Sequence, residues 1–69
     1  MIRSIGWEPG PPPLSGTLEV EFDSGAVYSY SGVPAEVAMD VILGVRNDSV
    51  GASFHYLVRR VDYPFVRVA

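Results

Sequence analysis

Polar and apolar residues alternate strictly from Thr17 to Phe22. Leu18, Val20 and Phe22 fall on one side, and Thr17, Glu19 and Glu21 on the other. A period of two predicts a half-buried antiparallel strand. Asp23-Ser24-Gly25 then supplies a turn. With Gly25 in the left-handed conformation, a three-residue loop sets Phe22 opposite Ala26. Tyr28 and Tyr30 then share the face of Leu18, Val20 and Phe22. A two-residue loop would instead turn both tyrosines toward Glu19 and Glu21. The first register gathers the large apolar groups and is the one expected. Upstream, Ile2 to Trp7 predicts a short first strand. Glu8 to Pro13, followed by Leu14-Ser15-Gly16, predicts a stiff surface loop, because three consecutive prolines remove backbone donors and favour extended geometry.

Beyond Tyr30 the period changes. Val33-Pro34-Ala35-Glu36 predicts a helix start, with proline at the first helical position and Glu36 in the first turn. Val37, Ala38, Val41, Ile42 and Val45 recur at helical spacing as a core-facing stripe. Met39 and Leu43 fall on the outer face, and Gly44 stands where a C-terminal cap is expected. Arg46-Asn47-Asp48-Ser49 is a connector ending in an N-cap candidate. A second helix from about Val50 to Arg59 would bury Phe54, Leu57 and Val58. Tyr63-Pro64 ends regular helix, and Phe65 to Val68 predicts a short terminal strand. The fold class is therefore α+β: a small antiparallel three-stranded sheet, extended by a fourth short C-terminal strand and packed by two helices, in the order β-β-β-α-α-β. One domain spanning residues 1–69 is expected from the length.

Composition narrows the chemistry. The chain has no cysteine and one histidine, which excludes disulfides, thiolate metal sites and a His-rich metal site; no metal and no cofactor are expected. The nearly apolar run Val37–Val45 is shorter than the roughly 20 residues a membrane span needs. The N-terminus lacks the apolar stretch of a signal peptide, so a cytoplasmic location is expected. Net charge is −3, and every cation is arginine. That balance argues against a nonspecific nucleic-acid coat, which should be strongly basic. The total hides an asymmetry. Residues 1–45 carry one arginine against six carboxylates, net −5; residues 46–69 carry four arginines against Asp48 and Asp62, net +2. Either the halves attract each other in the fold, or the second half offers a basic face.

Candidate binding residues concentrate in that second half. A helix start at Ser49, with Gly51 behind it, presents backbone N–H groups to which an anion is suited. Arg46 precedes it, and Arg59 and Arg60 follow with Tyr56, Tyr63 and Phe65 nearby. Arginine pairs with phosphate oxygens, and aromatic rings stack on bases. Ser49 has a plainer role as an N-cap, and Gly51 as a close-packing residue. Tyr28 and Tyr30 are candidates for a stacking platform or for core tyrosines. His55 is the only imidazole, hence the only group with an unperturbed pKa near neutrality. No nucleophile–base–acid set is assembled around it, so no catalytic residue is named.

The ordered set Leu18-Glu19-Val20-Glu21-Phe22, Gly25, Tyr28-Ser29-Tyr30, Val33-Pro34 and Ser49-Val50-Gly51 resembles the KTSC family, a small domain similar to the C-terminal segment of some lysyl-tRNA synthetases. The resemblance covers about residues 2–68. Pro9–Gly16 is longer than the family's usual first loop, Ser53 stands where an aromatic is common, His55 stands where Asn is common, and Val58 to Tyr63 is one residue longer. The resemblance implies a free-standing bacterial or phage domain, acting in the host cytoplasm if phage-encoded, and the synthetase association implies RNA. Residues and resemblance together lead to the expectation of a non-catalytic domain for RNA or a nucleotide-type anionic ligand, with sequestration of a nucleotide as a narrower form of that role. The alternative is a protein-interaction module or an inhibitor acting by occlusion, drawn from the acidic strand face and from Met39 and Leu43. Homo-oligomerisation is compatible with both, because it enlarges a small core.

Overall fold

The computed structural model describes residues 1–11 and 15–69. Pro12, Pro13 and Leu14, the middle of the expected proline loop, lie outside the described residues. Strands β1 (Ile2–Pro9), β2 (Ser15–Phe22) and β3 (Val27–Pro34) lead into α1 (Ala35–Leu43). A short helix α2 (Val50–Phe54) continues directly into a π-helical turn (His55–Arg59), and β4 (Phe65–Arg67) ends the chain. All four strands form one antiparallel sheet in the order β1-β2-β3-β4. The order β-β-β-α-α-β and the α+β class are as the sequence predicts.

The β2–β3 register follows from the turn. The Phe22 N–H donates to the Ala26 carbonyl at 2.9 Å, the Gly25 N–H donates to the Phe22 carbonyl at 2.9 Å, and Gly25 sits at φ 92°. Leu18 therefore lies opposite Tyr30 and Val20 opposite Tyr28. That face carries the core: Leu18, Val20, Tyr30 and Val33 from the sheet against Ala38, Val41, Phe54 and Val58 from the helical segments. The other face keeps Glu8, Thr17, Glu19 and Glu21 toward solvent.

Several expectations are corrected. β1 does not stop at Trp7; it runs to Pro9, which pairs with Gly16. Proline is tolerated there because β1 is an edge strand and needs no donor on its outer side. Pro34 is the residue before α1, with extended φ −65° and ψ 151°, rather than its first helical residue. Ile42 and Val45 are not core. Ile42, 38% exposed, lies within α1 beside the buried Ala38 and Val41, and Val45 is 52% exposed because α1 closes at Gly44 (φ 65°), one residue before it. Gly44 and Val45 donate back to Val41 and Asp40 at 3.0 and 3.1 Å, which satisfies the last carbonyls and turns Val45 away from the core. The second helix does not stay α-helical to Arg59. After Phe54 its bonds widen, and the Arg60 N–H donates to the His55 carbonyl, five residues back, at 3.0 Å.

Candidate ligand-binding site

The connector and the π-helical turn set the geometry of the basic half. Ser49 caps α2: its Oγ accepts from the Ala52 N–H at 3.1 Å. Ser53, fully buried, braces the same corner. Its hydroxyl donates to the Ser49 carbonyl at 2.7 Å and accepts from the Arg46 N–H at 2.9 Å. The cap and the connector are thus satisfied within the chain, and the capping role accounts for Ser49. Gly51 meets only Ser49 Oγ, at 3.7 Å from the position of an added Cβ, so close backbone packing does not require glycine there.

Two groups of the expected residues come together around the π-helical turn. In the first, the guanidiniums of Arg46 and Arg60 lie 4.6 and 5.6 Å from the centre of the Tyr56 ring. His55 packs edge-on against the same ring, centroids 5.1 Å apart. Cations over an aromatic face are attracted to its electron density while keeping N–H groups free for a further acceptor. The second group lines a groove of about 510 Å³ between the turn and the β3–β4 edge. Its walls include Tyr28, Tyr30, Arg59, Asp62, Tyr63 and Phe65. The Phe65 ring stands 5.6 Å from Tyr28 and 5.3 Å from Tyr30, and it is 54% exposed. Tyr30 reaches the core and touches Phe54 at 5.4 Å. Burial pushes the Tyr30 phenol above its ordinary value of 10.0, the nearby Arg59 guanidinium opposes that push, and Tyr28 adds to it.

Arg59 and Arg60, adjacent in sequence, therefore serve different groups. Among the described residues the single ion pair joins Arg3 to Glu21 at 3.8 Å, within the acidic half. No carboxylate pairs with Arg46, Arg59 or Arg60 there, so contact pairing between the halves does not account for the charge asymmetry. Asp62 is a groove residue that the sequence did not single out for binding. The Tyr30–Phe65 pairing is made across the sheet by β3 and β4, and nothing local in the sequence reports it. No His, Cys, Asp and Glu cluster of three or more among the described residues could hold a metal ion. No helix among them is long and apolar enough to cross a membrane.

Comparison with known proteins bears on this arrangement. The family model described as KTSC domain matches residues 1–63. The chain belongs to the KTSC family. An uncharacterized protein of Stutzerimonas stutzeri (strain A1501) is 36% identical over 67 residues, covering 97% of this chain and 84% of that protein. The family match takes in the Arg46–Tyr56–Arg60 group and the groove as far as Tyr63, and leaves Phe65 of β4 outside it. In this KTSC chain, then, part of the groove wall comes from residues beyond the matched segment.

Proposed function

We propose that this KTSC domain is a non-catalytic binding domain for an anionic, base-bearing ligand, RNA or a nucleotide. One observation carries the reading: Arg46 and Arg60 flank the Tyr56 ring and Arg59 lines the adjoining aromatic groove, with no carboxylate paired to any of them among the described residues. Guanidiniums held this way supply paired donors to phosphate oxygens, and the exposed ring of Phe65 offers a stacking surface. The acidic sheet face lies on the other side of the sheet from the groove, which favours one orientation of an anionic ligand. Sequestration of a free nucleotide is one form this activity would take.

Titration of labelled single-stranded RNA and of a nucleotide panel at two salt concentrations tests the reading. Affinity should fall as salt rises, and Arg59→Ala or Arg60→Ala should each weaken binding by about tenfold, the loss of one charge-assisted contact. Absence of binding at high micromolar protein sinks it.

The outer face of α1 favours a second reading, a protein-interaction module whose partner is a second copy of the chain. Met39 and Leu43 are 54% and 68% exposed on that face. Covering them would enlarge a core that 69 residues keep small. Light scattering decides it: a mass twice that of the chain, returned to one chain by Leu43→Glu, supports self-association, and a strict monomer at high concentration opposes it.

A further inference from the structure

The groove contains more than a phosphate-binding cation and a stacking ring. Asp62 lines it as well, and Asp62 makes no ion pair with Arg59 or with any other described cation. Asp62 is exposed, so its carboxylate is free to exchange water for N–H groups of a ligand that enters the groove. Its two oxygens accept two parallel N–H groups. Among the common bases, guanine alone offers two adjacent donors on its pairing edge, the ring N1–H and the exocyclic amine. Adenine and cytosine place a ring acceptor beside their amine, which the carboxylate repels, and uracil flanks its single donor with two carbonyls. The volume of about 510 Å³ lies within the range of small-ligand pockets and suits one nucleotide.

We propose that the groove binds guanine nucleotides selectively. Asp62 reads the guanine edge, Phe65 and Tyr28 provide the stacking surface, and Arg59 takes the phosphate. This rests on the ligand class proposed above and narrows it to one base. The backbone at Asp62 is left-handed (φ 70°), a conformation that asparagine also adopts readily, so the carboxylate can be replaced without disturbing the turn.

The test measures binding of GMP and AMP, and of a short uridine strand carrying one central guanine or one central adenine. The wild type is compared with Asp62→Asn and Arg59→Ala. Guanine should bind about tenfold more tightly than adenine, the scale of one two-bond base contact. Asp62→Asn should remove that preference by weakening guanine and strengthening adenine, since the amide offers adenine one donor and one acceptor, while Arg59→Ala should weaken both bases alike. Preference shown by the free nucleotide assigns the site to a small ligand; preference shown only within the strand assigns it to RNA. Equal affinity for guanine and adenine, or a preference that survives Asp62→Asn, overturns the guanine assignment and leaves the broader reading standing. No binding of any of the four overturns both.

Discussion

Ser53 shows how one hydroxyl can govern a site it does not enter. It is buried without exposure, and it joins the Arg46 N–H to the Ser49 carbonyl. Ser53→Ala would leave that N–H without its partner, at a cost of about 1–3 kcal/mol. Urea denaturation should show that loss, and binding that depends on Arg46 should weaken with it. Unchanged stability would mean that water replaces the hydroxyl. Tyr30 gives a pH dependence of definite sign. Its phenol is held above its unfolded value of 10.0, mainly by burial, so the folded state favours the protonated form. The resulting stabilisation is complete below pH 10 and is lost as pH rises through the folded value. Alkaline unfolding curves should therefore steepen above that point in the wild type, and Tyr30→Phe should lack this component. The same alkaline slope in Tyr30→Phe would contradict the assignment.

At the scale of elements, β1 is locked to its neighbours by Trp7. Its indole Nε1–H donates to the Val33 carbonyl at 3.0 Å, reaching from β1 to β3 beneath β2. The intervening residue is Gly16, and a Cβ there would collide with the Glu8 backbone carbonyl and come within 2.7 Å of the Trp7 ring. Gly16→Ala should destabilise by about 1–3 kcal/mol through overpacking, with a shift in tryptophan emission, whereas a surface-loop glycine would tolerate the change. Local chemistry made some elements readable in advance. Asp23-Ser24-Gly25 determined the β2–β3 register because only glycine takes φ 92° without strain, and Ser49 announced its cap. Gly16 read as loop because its partner Trp7 is brought to it by strand pairing, which leaves no local trace. The π-helical turn was hidden because His55–Arg59 has the same apolar spacing as an α-helix. Val45 departs from the expected stripe because periodicity carries no information about where the cap at Gly44 redirects the chain, and Ile42 because it carries none about how wide a face the sheet covers. The candidate site residues followed the same division. Arg46, Tyr56, Arg60 and Phe65 could be nominated by type and proximity in sequence; the division of Arg59 from Arg60, the pairing of Phe65 with Tyr30, and the place of Asp62 required the tertiary arrangement.

Across the whole molecule, charge is separated rather than neutralised. Glu8, Glu19 and Glu21 stand on the open sheet face, and Arg46, Arg59 and Arg60 stand around the helical turn on the opposite layer. Such a field repels an anionic ligand from one side and draws it to the other. Replacing Glu19 and Glu21 together with glutamine should speed association of an anionic ligand several-fold or less at low salt, and the gain should vanish as salt screens charges beyond about 10 Å. A gain that persists in high salt would point to a structural change instead. The central claim, that the turn and the β3–β4 edge form the ligand site, is tested most directly by amide chemical-shift mapping during a nucleotide titration. Shifts should cluster at His55–Arg60, Asp62–Phe65 and Tyr28–Tyr30. Saturable shifts confined to α1 or to the acidic face of β1 and β2, or no shifts at high micromolar protein with excess nucleotide, would contradict it.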